Sequence, residues 1–196
     1  MESPTSMTST SYHNLPPDLP VPEDDGAADH LPGMTLPSLA LRSTADVEVD
    51  LAEAAAGTLV LYVYPRTGTP GEPLLPGWDE IPGARGCTPQ NCAFRDLHAE
   101  LTQLGARVHG LSAQAAADQL AFARRERMPY PLLSDPELRL ARALRLPTFE
   151  AGGMTLYKRL TLIARGGRIA HVVYPVFPPG SDAAEAVAWL RAGGRG

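Results

Sequence analysis

Apolar residues fall along the chain in blocks whose periods predict alternating strands and helices. Residues 58–64 (Thr-Leu-Val-Leu-Tyr-Val-Tyr) form an apolar run bounded by Gly57 and Pro65, as in a central strand covered on both faces. Before it, residues 34–41 and 47–51 read as two short strands, joined by a turn near Arg42-Ser43-Thr44. Residues 65–86 are a Pro/Gly-rich loop, and a helix is expected to follow. Thr88 suits its N-cap and Pro89 its first turn. Phe94, Leu97, Leu101 and Leu104 then recur at spacings of three and four, giving one apolar face, and Gly105 suits the C-terminal cap. Residues 107–111 predict a second strand, 112–128 a second helix and 130–133 a short strand. Asp135-Pro136 opens a helix ending near Leu144. Residues 159–164 and 168–174 predict a hairpin about Gly166-Gly167. Residues 182–191 predict a last helix, with Asp182 and Glu185 as a capping box. A parallel strand pair followed by an antiparallel hairpin makes an α/β sandwich around one mixed sheet.

The first 31 residues break this pattern. They are rich in Pro, Ser, Thr and Asp, with six acids and no Lys or Arg. They read as a flexible or loosely docked extension (1–31) ahead of one domain (32–196), with Met7 as an alternative start. The other 165 residues hold 16 acids and 17 bases, so the net charge of -5 comes from the extension's six acids, offset by one excess base elsewhere. No basic patch supports nucleic acid or a membrane as partner. Sixteen of the 17 bases are Arg, a bias that points to a GC-rich genome and a bacterial source. No apolar run approaches a bilayer span, and no charged region followed by an apolar one marks a secretory signal. The expected compartment is the reducing cytoplasm, where a cysteine pair is more often catalytic or metal-binding than structural.

That makes the two cysteines informative. Cys87 and Cys92 sit five apart in Gly86-Cys87-Thr88-Pro89-Gln90-Asn91-Cys92, at the mouth of the first long helix. A helix N-terminus favours a thiolate, and the thiolate is the nucleophile. A second thiol nearby can trap an oxidised first one as a disulfide. No further ligand pair accompanies the C-x4-C spacing, so no metal is expected, and no haem or flavin is required. His98 and His109 are possible acid/base groups, though a surface or half-buried structural role is the simpler reading. Arg95 and Asp96 read as a structural pair, Trp78 and Trp189 as packing residues, and Arg124, Arg125 and Arg127 as a solvated face.

Around these cysteines the chain resembles the peroxiredoxin family, most closely its bacterioferritin-comigratory (PrxQ-type) branch. The residues that carry the resemblance are Gly86-Cys87-Thr88 with Cys92, Phe94-Arg95-Asp96, Tyr64-Pro65, Gly110-Leu111-Ser112, Leu132-Leu133-Ser134-Asp135-Pro136, and Arg159-Leu160-Thr161-Leu162-Ile163. The resemblance covers about residues 32–192. It implies a thioredoxin-like (peroxiredoxin-type) fold, a central mixed β-sheet flanked by α-helices. It further implies a thiol peroxidase acting on hydrogen peroxide and organic hydroperoxides, without cofactor, recycled by thioredoxin or a similar thiol reductant, as a monomer or weak homodimer. By this resemblance Cys87 is the peroxidatic cysteine, Cys92 resolves it, Arg159 is the cation that polarises sulfur and peroxide, and Thr69 and Pro65 shape the pocket. Five helical residues separate Cα atoms by roughly 8–9 Å. A disulfide needs about 7 Å or less, so the first turn must unwind before Cys87 and Cys92 can join.

One departure stands out. The family places its Cys seven residues after its Pro, whereas Cys87 lies 22 residues after Pro65. About 15 residues, roughly 72–86, are inserted after Thr69. The insertion either loops out and leaves Thr69 on the peroxide or displaces it, and its apolar residues suggest a lid for bulkier hydroperoxides. Two other readings remain: a redox sensor or interaction protein of this fold with weak turnover, and a thiol–disulfide oxidoreductase, which would normally present C-x-x-C.

Overall fold

The computed structural model describes residues 12–194. The first part of the extension, with Met7, lies outside the described residues, as do residues 195 and 196. The uninterrupted apolar run forms β3 (Thr58–Val63) at the middle of a seven-stranded sheet. It pairs parallel with β4 (Ala106–Ser112) and antiparallel with β8 (Leu160–Arg165). On one side the sheet continues through β5 (Leu133–Ser134), β1 (Ala40–Ser43) and β2 (Glu48–Asp50), and on the other it ends with β9 (Arg168–Val173). The order is β2-β1-β5-β4-β3-β8-β9, with β3–β4 and β4–β5 parallel and the other pairs antiparallel.

Both faces of β3 are covered, as its composition required. Leu59, Leu61 and Val63 enter one core with α1 (Leu51–Ala54), α5 (Arg139–Leu144) and Leu31 of the extension. Val60, Tyr62 and Tyr64 enter the other, with α2 (Cys87–Asp96), α3 (His98–Gln103), α4 (Ala116–Arg125) and α6 (Ser181–Arg191). Alternate side chains of a strand point to opposite faces, so one apolar strand anchors both helical layers.

Several elements differ from the expectation. The helix expected to run to Leu104 breaks at Leu97 into α2 and α3, because an apolar face at spacings of three and four tolerates a one-residue interruption. Helix α4 is shorter than 112–128, since Ser112 completes β4. Helix α5 starts at Arg139, and both Asp135 carboxylate oxygens accept its first amides, from Arg139 N and Leu140 N at 2.9 Å each. Residues 34–39 precede the first strand and pair with β9 through the isolated bridge between Thr35 and Arg168. The expected capping box at α6 does not form: Gly180 occupies the N-cap, Asp182 is buried, and Glu185 faces His171. An unpredicted hairpin, β6 (Thr148–Ala151) and β7 (Met154–Tyr157), turns at Gly152-Gly153. It gives the insertion something to pack on, since Trp78 and Ala84 bury with Leu156 against Phe149 and Met154.

Candidate active site

Cys87 is the first residue of α2, held there by an unusual backbone. Gly86, its N-cap, has φ +112°, which side-chain-bearing residues rarely adopt. A Cβ at this position would also overlap Pro179. Gly86→Ala is therefore expected to destabilise the fold by about 2–4 kcal/mol, combining backbone strain and overpacking. Urea denaturation checks this, and an unchanged midpoint would contradict it.

The Cys87 side chain is buried, and its sulfur faces a guanidinium. Arg159 Nη2 lies 3.4 Å from Cys87 Sγ. The same nitrogen is shared with the carbonyls of Gly83, Ala84 and Arg85 at 3.3, 3.1 and 3.2 Å, all on the insertion. The insertion thus supplies the backbone cradle of Arg159. Arg159 Nη1 donates to Gln90 Oε1 at 2.5 Å, and Gln90 Nε2 donates to Asp182 Oδ2 at 2.6 Å. Thr161 Oγ1 donates to the same carboxylate oxygen at 2.7 Å. Asp182 fixes which way the Gln90 amide faces, and Gln90 fixes the guanidinium. Burial raises the Asp182 carboxyl above the ordinary range, against the lowering effect of the Thr161 and Gln90 bonds. Gln90, Thr161 and Asp182 were not anticipated: the first is a polar residue one turn beyond the cysteine, and the last was assigned to a helix cap.

Asn91 holds the other side of the turn. Its Nδ2 donates to the Cys87 carbonyl at 2.9 Å, and its Oδ1 accepts from Tyr62 at 2.7 Å.

The expected site residues do not all converge. Cys87 and Arg159 do. Pro65 is buried at the end of β3, where its carbonyl accepts from Ser112 Oγ at 3.1 Å. Thr69 is exposed, and its carbonyl accepts from the Tyr12 hydroxyl at 3.1 Å. A cavity of about 10 Å³ touches Cys87, and its walls include Gly68, Leu74, Trp78 and Tyr12 but not Thr69. A larger cavity of about 480 Å³ reaches Arg159 from between Pro22, Ile81, Phe149 and Tyr174.

Cys92 is half-buried on the same intact helix, and both thiols are free. Its Sγ lies 3.7 Å from Glu126 Oε2, and burial pushes the thiol up to about 11, with Glu126 adding to the rise and Arg95 opposing it. That rise leaves the folded thiol far poorer in thiolate at neutral pH than an ordinary one. In Cys87→Ser protein, alkylation of Cys92 should keep accelerating past pH 9, and a plateau at or below pH 9 would contradict this. His13, Cys92 and Glu126 bring ligand-type atoms within 4.8 Å of one another, but Glu126 already faces Arg95 at 3.8 Å and Arg125 at 3.4 Å. His98 packs against Tyr130, and His109 Nδ1 is 2.8 Å from the Pro131 carbonyl, so neither reaches the site. Arg95 pairs with Asp96 at 3.0 Å, as expected. Arg124, Arg125 and Arg127 are exposed, as expected, and Arg125 Nη2 also donates to the Gly68 carbonyl at 3.2 Å.

Among known proteins, the Redoxin family model matches residues 31–190. Peroxiredoxin Q of wheat, a chloroplastic protein, is 31% identical over 142 residues, covering 72% of this chain but 58% of the relative. The chain thus spans less than two thirds of that relative's length. Peroxiredoxin Q of Sedum lineare is 28% identical over 158 residues, with coverage of 81% and 76%. Among solved structures, peroxidoxin BcpB of Mycobacterium tuberculosis superposes with a TM-score of 0.68 at 28% identity, over 83% of this chain and 98% of that one. The bacterioferritin comigratory protein of Xanthomonas campestris, studied in trapped complexes for its alkyl peroxide reduction activity, shares the fold at a TM-score of 0.64 and 21% identity, over 91% of this chain and 100% of that one. A cysteine at a glycine-capped helix mouth, an arginine on its sulfur and a mixed sheet beneath them agree with these matches, and the chain belongs to the redoxin family, with PrxQ-type peroxiredoxins as its relatives.

Proposed function

We propose that this chain is a thiol peroxidase that reduces hydrogen peroxide and organic hydroperoxides to water or alcohols. The observation that carries this reading is the Arg159 guanidinium 3.4 Å from a buried thiol at a helix N-terminus. The Cys87 thiolate attacks one peroxide oxygen, and the O–O bond breaks. Sulfur loses two electrons to become a sulfenic acid, and the other oxygen leaves as hydroxide or alkoxide and takes a proton. Arg159 stabilises the thiolate and the charge that develops on the departing oxygen. Its delocalised fork can serve both atoms at once, which an ammonium does less well.

Cys92 then attacks the sulfenic sulfur, water leaves, and a Cys87–Cys92 disulfide forms. The first turn of α2 must unwind for this, which also frees Cys92 from the burial that suppresses its thiolate. A thioredoxin-like dithiol reduces the disulfide by exchange. Pro65 anchors the start of the loop that leads through Thr69, which stays outside the cavity at Cys87. Among the described residues no helix is long and apolar enough to cross a membrane. The remaining assignments are a bacterial, cytoplasmic protein with no metal or organic cofactor, acting as a monomer or weak homodimer, with residues 1–31 as an extension.

A second reading has one observation in its favour. The cavity on Cys87 has room for about one water molecule, and Thr69 does not line it. A slowly oxidised sensor would show the same features. Coupled oxidation of NADPH by peroxide, in the presence of thioredoxin and its reductase, tests the proposal. Sustained turnover in wild type, abolished in Cys87→Ser, supports the peroxidase; a single slow oxidation favours the sensor.

A further inference from the structure

We infer that Tyr12, on the N-terminal extension, is the specificity-determining wall of the cavity over Cys87. This rests on the thiol-peroxidase reading and adds what selects its substrate by size. The extension carries Tyr12 onto the loop between β3 and the insertion. The Tyr12 hydroxyl donates to the carbonyls of Thr69 at 3.1 Å and Glu72 at 2.9 Å. Its ring sits 5.9 Å from the Arg85 guanidinium carbon. It presses so close to Gly68 that a Cβ there would overlap the ring, although the Gly68 backbone has an ordinary φ. Gly68, Leu74, Trp78 and Tyr12 together wall the space at Cys87, leaving about 10 Å³. The two bonds from the hydroxyl pin a rigid ring where the substituent of an organic hydroperoxide would emerge.

The chemistry needs only that the distal oxygen reach sulfur. A hydrogen peroxide molecule is little larger than water and is admitted with small adjustments. A cumyl group is not, unless the ring swings out. Tyr12 is the wall element best placed to move, because it belongs to the extension and is held by two hydroxyl bonds, whereas Trp78 is packed into the insertion's own core. The thiol's size selectivity therefore depends on a residue remote from both cysteines in sequence.

Gly68 provides an independent handle. An alanine there is compatible with the backbone but displaces the ring, so Gly68→Ala should reproduce Tyr12→Ala without touching the tyrosine. The test is the rate of Cys87 alkylation by iodoacetamide and by a bulky maleimide in the full-length protein, read by mass spectrometry of the Cys87 peptide. Hydrogen peroxide and cumene hydroperoxide consumption is measured separately. Tyr12→Ala should cut the preference for the small alkylating reagent by roughly tenfold, the scale on which a pocket discriminates by size. Tyr12→Phe keeps the ring but loses both hydroxyl bonds, and should fall between wild type and Tyr12→Ala. The Tyr12→Ala/Gly68→Ala double variant should go no further than Tyr12→Ala alone. A wild-type size preference in both Tyr12→Ala and Gly68→Ala would overturn the inference. Failure of the peroxidase reading shows elsewhere, as wild-type protein that consumes neither peroxide, while the alkylation ratios still decide whether Tyr12 gates the thiol.

Discussion

Arg159→Ala is expected to slow the first oxidation of Cys87 by hydrogen peroxide roughly 100- to 1,000-fold, the loss typical when one aimed donor is removed from developing charge. Two roles end together in that variant. The guanidinium no longer faces Cys87 Sγ, and no donor meets the departing oxygen. A structural cost accompanies it, because the carbonyls of Gly83, Ala84 and Arg85 lose their shared partner. Unsatisfied buried acceptors cost about 1–3 kcal/mol, so thermal unfolding should be measured alongside. Arg159→Lys separates the two roles. It keeps the charge but presents a point donor in place of a fork, and should recover only part of the rate. Stopped-flow oxidation followed by intrinsic fluorescence would check both variants. Wild-type oxidation rates in Arg159→Ala, with the fold intact, would remove Arg159 from the chemistry.

Cys92→Ser is expected to abolish sustained turnover with thioredoxin while leaving the first oxidation of Cys87 at the wild-type rate. The two thiols have different partners and lie on one intact helix. Cys92 therefore contributes nothing to the peroxide-facing step, and its thiol enters only after the helix opens. The variant should consume one equivalent of peroxide and stall as a sulfenic acid. Continued NADPH oxidation by Cys92→Ser would show that the reductant attacks Cys87 directly and that Cys92 is a helix residue.

Much of the frame was legible because a few segments admit one reading. The run at β3 is apolar at every position from Leu59 to Val63, as suits a strand buried on both faces, and the structure buries its two sides in separate cores. Gly166-Gly167 between two β-rich runs admits a hairpin. The juxtaposition of Cys87 with Arg159 was not readable from periodicity. It came from resemblance, because the residues lie 72 positions apart and meet only after β8 packs beside β3. Other features were hidden for physical reasons. The β6–β7 strands are short, and the hairpin's buried partners come from the insertion. Asp182 and Glu185 carry a capping signature, yet Asp182 is buried beside Thr161 and Gln90, and that polar cluster outweighs the cap. Thr69 kept its spacing from Pro65, but spacing from Pro65 says nothing about where a chain lengthened before Cys87 will carry it.

The central claim is that Cys87 is the atom that meets the peroxide and that Cys92 follows. The most direct measurement adds one equivalent of hydrogen peroxide to reduced full-length protein and follows both cysteine peptides by mass spectrometry, with and without a sulfenic-acid trap. The account predicts a trapped sulfenic acid on Cys87 alone at early times, giving way without the trap to a Cys87–Cys92 disulfide. Peroxide consumed with Cys87 unmodified, or oxidation appearing first on Cys92, would contradict it.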